Sequence, residues 1–231
     1  MLALGLDPSL KAYGLCVYNS LAAGPRSKKV VSAHEATLSS TVPVARFMHF
    51  RSIVKNLLNQ YDIGVVGIES PAYDGGPFSE IHFGLMMFSL EAIFEKRVDC
   101  VLFDPTTLKY LIGNAKADKT EIQKHVKFDT NSISVIDNNE ADAYCIAKFA
   151  SRFHDFKSCI LSPNDLTERE KHVFLKKSRK KKKLDGSIAI KKTAHIFREN
   201  SRFFEFSKIP AGDVNLPNKS SIDQTLLDWL E

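Results

Sequence analysis

The chain has 231 residues, of which 44% are hydrophobic and 10% aromatic. This composition predicts a globular protein with one full core and an appendage of some tens of residues. No stretch has the about 18 apolar residues of a membrane span, and the N-terminus lacks the pattern of a secretory signal, so we expect a cytoplasmic protein without a membrane partner. Four cysteines show no C-x-x-C spacing, which favours free thiols over a zinc site.

The net charge of +5 is concentrated in one segment. Residues 168–192 carry 11 basic residues against 3 acidic ones, whereas residues 1–167 carry 17 against 18. A basic block of this density indicates a polyanionic partner, with nucleic acid first and an anionic membrane second. The alternative is a solvated face or a nuclear-import signal.

The N-terminal stretch predicts a hairpin with a carboxylate at its turn. An apolar run ends at Asp7, Pro8 cannot continue the strand pairing, and a second apolar run leaves through Gly14. A buried carboxylate must be neutralised, hydrogen-bonded or bound to a metal. The simpler alternative is a capping or turn aspartate.

Strands and helices then alternate as far as residue 150. The sequence predicts strands over 29–37, 63–69 and 98–103. Between them it predicts an amphipathic helix over 43–61, starting near Thr41 or Ser40, and an apolar helix over 79–97. A short helix stopped by Gly113, a helix capped by Asp118 and a last helix from Asn138 follow. This order predicts an α/β fold with a mixed sheet flanked by helices, followed by a small basic appendage. The apolar helix is either central or shared with a second subunit.

Three carboxylates stand out. Asp7 and Glu69 each end a buried-type strand shortly before a proline, and Asp142 lies in a helix of small and apolar residues. Neighbouring central strands could bring these carboxylates within a few ångströms of one another. Like charges at that distance raise one another's pKa unless a cation neutralises them. Oxygen ligands select Mg²⁺, with Mn²⁺ able to substitute, and two such ions about 4 Å apart could activate a water and stabilise the leaving oxygen of a phosphodiester.

The fourth ligand has two candidates. Asn139 shares a helix face with Asp142 because the two are three residues apart, whereas Glu140 brings a negative charge but points elsewhere. Unrelated caps and surface acids are the alternative for the whole set.

Four short motifs lie in order over residues 2–150. They are Leu4-Gly-Leu-Asp7-Pro-Ser with Gly14, Ile68-Glu69, Pro105-x-x-x-Lys109 with Gly113-x-x-Lys116-Ala-Asp-Lys119, and Glu140-Ala-Asp142-Ala. In this order and at these separations they resemble the signatures of RuvC-type Holliday junction resolvases. The first motif by itself is also similar to that of sugar kinases and actin-like ATPases.

The resemblance implies an RNase H-like fold and a homodimer that nicks opposed strands of a four-way DNA junction, and by extension other branched DNA, with Mg²⁺. It makes Asp7, Glu69 and Asp142 metal ligands and catalytic residues, and the helix over 79–97 the dimer contact. Lys109, Lys116 and Lys119 become DNA-binding residues, with Lys119 also assisting the attacking water. A viral enzyme of this class would act in the host cytoplasm.

The sequence departs from the resolvase pattern three residues before Asp142. The family usually has an acid or a histidine at this position, whereas this chain has Asn139. We therefore consider Glu140 as a substitute ligand. Tyr73 lies near the place where the family has an aromatic residue against unpaired bases, although a core tyrosine is the alternative.

The C-terminal part divides into two predicted segments behind a nuclease domain over 1–162. Residues 163–220 form a basic extension that contacts DNA, and residues 183–190 contain a hairpin signal. The basic residues proposed to contact DNA are Lys176, Lys177, Arg179, Lys180, Lys181, Lys182 and Lys183. Residues 221–231 resemble a short peptide that binds a sliding clamp, with docking on the chain's own domain as the alternative.

Two other function classes compete with the nuclease. An actin-like ATPase or kinase would need further glycine-rich phosphate loops, and the pair Gly75-Gly76 has the wrong context. A non-catalytic protein that binds branched DNA would keep the fold and lose a ligand at Asn139. A labelled four-way junction incubated with and without Mg²⁺ separates the three classes.

Overall fold

Eight strands and six α-helices make up the part of the chain that the computed structural model describes. The described residues are 1–8, 12–22, 30–37, 42–70, 77–113, 116–130, 138–175, 179–182, 188–191 and 194–197. The strands are β1 (Leu2–Asp7), β2 (Ala12–Asn19), β3 (Val30–Thr37), β4 (Ile63–Glu69), β5 (Asp99–Phe103), β6 (Arg179–Lys182), β7 (Ile188–Lys191) and β8 (Ala194–Phe197). The α-helices are α1 (Pro43–Gln60), α2 (Pro77–Glu95), α3 (Pro105–Ile112), α4 (Lys119–Thr130), α5 (Asn138–Lys157) and α6 (Glu168–Phe174).

The main sheet has six strands in the order β3-β2-β1-β4-β5-β8. β1, β2 and β3 are antiparallel neighbours, β1, β4 and β5 are parallel, and β8 is antiparallel to β5. The mixed α/β sheet and the N-terminal hairpin are therefore as predicted. Because β1, β4 and β5 are parallel, their C-terminal ends lie together; we call this side of the sheet the carboxyl edge.

Helices cover both faces of the sheet, and alternation along the strands decides which residue faces which layer. In β1, Leu4 and Leu6 face a core shared with α1 and α2, whereas Ala3 faces a core shared with α3, α4, α5 and α6. Both cores are built from fully buried aliphatic and aromatic side chains, as the unbroken apolar strands indicate.

Three glycines let α5 lie unusually close to the sheet. A Cβ placed on Gly5 would be 1.9 Å from the Ala143 carbonyl oxygen, and one on Gly14 would be 2.3 Å from the Asn139 carbonyl oxygen. At Gly67 a Cβ would be 2.7 Å from the Cβ of Ala150. Small residues on α5 therefore pack against strand positions that lack side chains, as the alternating small and apolar residues of this helix predict.

The helix ends follow local chemistry. In α4, Asp118 accepts a hydrogen bond from the Glu121 amide at 2.8 Å and its own amide donates to the Glu121 carboxylate at 3.0 Å, so Asp118 caps the helix as predicted. α1 differs from the prediction, because its N-cap is Val42 and the helix begins with Pro43. Proline is favoured at a first helical position because its missing N–H would be unpaired there anyway. Thr41 and Ser40 lie outside the described residues.

The hydrophobic core continues past residue 162, the predicted end of the nuclease domain. Val173 and Phe174 of α6 are buried in the α5-side core, and the buried Glu170 accepts a hydrogen bond from Arg152 of α5 at 2.9 Å. β8 extends the main sheet still further along the chain. The predicted hairpin forms separately, as an antiparallel pairing of β6 with β7.

Two further expectations concern the cysteines and the membrane. All four cysteines are free, and Cys16, Cys100 and Cys145 are buried, so the free thiols are as predicted. Among the helices that the structure describes, none is long and apolar enough to cross a membrane.

Adding a methyl group at Gly5 should separate α5 from the sheet. We expect Gly5→Ala to lower the free energy of unfolding by about 1–3 kcal/mol or more, because a backbone carbonyl occupies the space. Gly113→Ala is the matched control, since nothing lies within 4 Å of its Cβ position and its φ of −163° suits any residue. Chemical denaturation of both variants tests this, and equal stability would contradict it.

Candidate active site

The carboxyl edge brings Asp7 and Glu69 together. Leu6 pairs with Ile68 in the parallel β1–β4 ladder, so the next residues, Asp7 and Glu69, end neighbouring strands about 4.8 Å apart. Each is two residues beyond a glycine, Gly5 or Gly67, against which α5 packs. Both carboxylates therefore lie on the sheet face that α5 covers.

Asp142 joins them from the first turns of α5. Its neighbour Ala143 lies directly over Gly5, two residues from Asp7 in β1. The negative charge of Asp142 acts on both Asp7 and Glu69. Three carboxylates from distant segments thus converge at one edge of the sheet, as the strand–carboxylate pattern predicts.

The acidic side chains at this edge resist ionisation. Burial, followed by repulsion from Asp142, raises the pKa of Asp7 from 3.8 to about 7, although the positive charge of Lys119 lowers it. Burial raises the pKa of Glu69 well above its usual value, and Asp7 and Asp142 raise it further while Lys109 lowers it. The positive charges of the two lysines therefore offset only part of the effect of burial and repulsion on these pKa values.

Each of two predicted lysines acts on one of these carboxylates. Lys119 is the first residue of α4 and acts on Asp7, whereas Lys109 lies in the last turn of α3 and acts on Glu69. Lys116 is exposed in the turn before α4. The lysine-bearing helices thus approach the carboxyl edge from the α5 side of the sheet.

A half-buried polar cluster connects α4 to α5. Asp129 at the end of α4 accepts a hydrogen bond from the Tyr144 hydroxyl and lies 3.1 Å from the Lys148 ammonium nitrogen. Burial and this acceptor raise the pKa of Tyr144. The helix that begins with Lys119 is therefore tied to the helix that carries Asp142. No local sequence pattern indicates this cluster, because its members interact only through tertiary packing.

Asn139 and Glu140 differ in their positions relative to Asp7. Gly14 is the β2 partner of Asp7, and a Cβ placed on Gly14 would be 3.2 Å from the Cβ of Asn139. Glu140 lies about 100° further around the helix. Asn139 is thus next to the strand residue opposite Asp7, which is the geometry expected of it; which residue binds a cation stays a prediction.

Asp104 is a fourth acid at the carboxyl edge, and the sequence analysis missed it. It follows β5 and precedes Pro105, repeating the strand–carboxylate–proline order that singled out Asp7. Its charge raises the pKa of Glu69. It also caps α3, because its carboxylate accepts a hydrogen bond from the Thr106 amide at 3.3 Å, which is the role that the simpler alternative assigns to such an aspartate.

The carboxylate oxygens of Asp7, Glu69 and Asp142 suit a hard cation, but these residues do not surround an ion by themselves. Among the described residues, no group of three or more His, Cys, Asp or Glu side chains is arranged to hold a metal ion. Mg²⁺ is commonly held by one or two carboxylates together with waters and substrate phosphates rather than by an all-protein cage. Asp7, Glu69 and Asp142, which repel one another, fit such an open site.

The remaining predicted site residues belong to other parts of the chain. Arg179, Lys180, Lys181 and Lys182 form β6. The predicted residues that lie outside the described part are Tyr73, Lys176, Lys177 and Lys183.

Metal-free protein should lose stability as Asp7 ionises. Because folded Asp7 binds its proton more tightly than unfolded Asp7, the free energy of unfolding should fall as pH rises from about 4 to about 7, and the loss should persist above pH 7. We expect Asp7→Asn to be more stable than the wild type at pH 8, by about 1–3 kcal/mol after allowance for partial exposure. The two proteins should converge near pH 4.

Urea unfolding in EDTA across this pH range measures the difference. Asp62→Asn, an exposed position before β4, is the matched control for loss of one negative charge. An Asp7→Asn variant less stable than the wild type at pH 8 would contradict the electrostatic analysis.

Comparison with known proteins identifies the fold. No protein-family model matches the sequence, and no curated protein matches it. The Thermus thermophilus RuvC structure superposes with a TM-score of 0.58 at 19% identity, covering 68% of this chain and 97% of RuvC. RuvC from the same organism in complex with Holliday junction substrate gives the same TM-score and identity over 96% of its chain.

A third similar structure is the yeast mitochondrial Holliday junction resolvase Ydc2, with a TM-score of 0.44 and 15% identity over 69% of this chain and 84% of Ydc2. Nearly the whole length of each RuvC structure superposes on this chain. The chain therefore has the RuvC fold, which is the RNase H-like fold implied by the resemblance of its motifs to those of RuvC-type resolvases.

Proposed function

We propose that this chain is an endonuclease that cuts four-way DNA junctions, and by extension other branched DNA, by cation-dependent hydrolysis of a phosphodiester. The observation that carries the proposal is the convergence of Asp7, Glu69 and Asp142 at the carboxyl edge of a RuvC-type fold. The positive charges of Lys119 and Lys109 act on two of these carboxylates. Acidic oxygens beside lysines suit a site that must accept both a cation and a phosphate.

The carboxylates would hold the cation. Asp7, Glu69 and Asp142, with Asn139 or Glu140 as a further ligand, offer the oxygen donors that Mg²⁺ prefers, and Mn²⁺ should substitute. When bound, the cation would supply positive charge that stabilises the negative charge developing on the phosphate. It would also relieve the repulsion that raises the pKa of Asp7 and Glu69.

The lysines would act on the substrate. Lys109 and Lys116 would bind phosphates beside the cut, and Lys119 would assist the attack of a water molecule on the phosphorus. A bond forms between the water oxygen and phosphorus as the bond from phosphorus to the 3′ oxygen breaks, which leaves a 5′-phosphate and a 3′-hydroxyl. The proton that the water gives up is balanced by the proton that the leaving 3′ oxygen takes.

The proposal includes a homodimer formed through the outer face of α2. The buried side of α2 packs on the sheet, yet Phe83, Met87 and Phe94 are 40%, 45% and 39% exposed. These residues lie on one face of the helix because they are four and seven residues apart. A second copy covering this face would bring a second cleft to the opposed strand of a junction.

Residues 221–231 lie outside the described part of the chain. Binding of a sliding clamp by this peptide therefore stays a prediction, as does action in the cytoplasm.

Removing the Asp7 carboxylate should separate cutting from binding. We expect Asp7→Asn to lower the rate of four-way junction cleavage at least about 100-fold, a loss of ~2.7 kcal/mol in transition-state stabilisation, because the cation loses a ligand. Junction affinity measured in EDTA should not fall, because the substitution removes a negative charge from an edge that repels phosphates. Cleavage of a labelled junction with Mg²⁺, with Mn²⁺ and with EDTA is the measurement, and Asp62→Asn is the control.

A wild-type protein that binds the junction but does not cut it with either metal would favour the non-catalytic DNA-binding alternative. Equal cleavage in EDTA would contradict the requirement for a cation.

Placing a charge on the outer face of α2 should separate the subunits. We expect Met87→Glu to give a monomer in sedimentation analysis and to abolish paired nicking of opposed strands, because a carboxylate cannot be buried there without a partner. Ile160→Glu, which replaces an apolar side chain that is 69% exposed in the turn after α5, controls for one added negative charge away from this face. A wild-type monomer, or dimeric Met87→Glu, would contradict this interface.

A further inference from the structure

The last strand of the main sheet carries the chain back to the carboxyl edge. β8 is antiparallel to β5, and its first residue, Ala194, pairs with Phe103 at the C-terminal end of β5. Phe103 pairs in turn with Glu69 of β4. Ala194 is therefore two strand spacings, about 10 Å, from one of the carboxylate-bearing residues.

The segment before β8 is a strongly basic two-stranded hairpin. β6 and β7 pair in antiparallel register, from Arg179 opposite Lys191 to Lys182 opposite Ile188. Five of the eight residues in its strands are basic and none is acidic. The register places a basic residue opposite another basic residue at one end, an arrangement that is unfavourable without counter-charge. A polyanion would supply that counter-charge.

The hairpin is close to the carboxylates because its connection to β8 is short. Lys191 is three residues from Ala194, a separation of at most about 11 Å. The Cα of Lys191 is therefore within about 21 Å of that of Glu69, which corresponds to about six nucleotides of a DNA strand at 3.4 Å each. The other end of the hairpin adds about 10 Å, so the whole hairpin lies within about one helical turn of DNA from the cleft.

The rest of the fold gives a polyanion little attraction. Residues 1–167 are nearly neutral overall, and the carboxyl edge concentrates the negative charges of Asp7, Glu69, Asp142 and Asp104. A nuclease cleft of this kind repels the DNA backbone until cations bind. A basic element fixed beside the cleft would offset that repulsion through contacts with neighbouring phosphates.

We infer that the β6–β7 hairpin is a docking element for the DNA backbone, held by β8 so that it contacts phosphates within about one helical turn of the cut. The inference rests on the proposed nuclease function. It specifies which part of the basic extension contacts DNA and how far from the cut these contacts lie. β8 is essential to it, because this strand returns the chain to the carboxyl edge, with Ala194 opposite Phe103.

Charge removal in the full-length protein tests the contact. Lys180→Gln/Lys182→Gln should reduce the slope of log affinity against log salt by about 1.8, since each phosphate contact contributes about 0.9. Lys96→Gln/Arg97→Asn is the matched control, because both residues are exposed in the turn before β5, at the opposite side of the sheet; asparagine suits the Arg97 φ of 58°. Binding of a four-way junction is measured in EDTA, so the slope does not depend on cleavage.

Uncharged methylphosphonates in place of single phosphates test where on the DNA the hairpin makes contact. Single methylphosphonates are placed at successive positions on both sides of the cut in the junction. Those within about one helical turn should weaken binding by the wild type and have little further effect on Lys180→Gln/Lys182→Gln, because the two changes remove the same contact. Methylphosphonates further away should affect both proteins equally.

A flexible insertion separates position from charge. Twelve glycine and serine residues inserted on each side of the hairpin, between Leu175 and Arg179 and between Lys191 and Ala194, keep every charge but release the hairpin from both α6 and β8. The salt slope should be retained, while the effect of methylphosphonates near the cut should spread over all positions. An unchanged slope in Lys180→Gln/Lys182→Gln, or position-specific effects that survive the insertion, would overturn the inference. A wild type that binds junctions but does not cut them would instead overturn the proposed function.

Discussion

Close contact between α5 and the sheet determines how near the acidic side chains come to one another. At Gly5 and Gly14 any side chain would collide with the α5 backbone. The helix therefore lies almost directly on β1 and β2, and Asp142 comes near Asp7 and Glu69. Interiors are packed too tightly for a helix displaced by a methyl group to keep such contacts. The geometry of the carboxyl edge is thus a consequence of packing.

The same closeness makes the edge electrostatically unfavourable. Burial and mutual repulsion hold the pKa of Asp7 near 7 and that of Glu69 well above its usual range, despite Lys119 and Lys109. Groups with such shifted pKa values cluster at functional sites, because a fold built for stability alone has no need of them. In the proposed function a hard cation, held together with a substrate phosphate, would offset these shifts.

The C-terminal part is joined to this core more closely than its composition indicates. α6 contributes Val173 and Phe174 to the α5-side core, and the Arg152–Glu170 ion pair connects it to α5. β8 then covers the β5 edge of the sheet, which would otherwise expose unpaired backbone groups. In the chain, the basic hairpin lies between α6 and β8, two elements that pack on the domain that carries the carboxylates.

The sequence by itself determined the strands and helices over residues 2–150 and three of the four acidic side chains of the edge, because these depend on local signals, but it did not predict α6, β8 or the place of Asp104. Apolar runs ending at Asp7 and Glu69 predicted the strands, and Asp118 predicted the start of α4. Tertiary structure alone decided which lysine acts on which carboxylate, how Asp129 ties α4 to α5, and where β8 joins the sheet. These relations connect residues far apart in the chain, and they arise from packing and hydrogen bonding between elements, which no local pattern encodes.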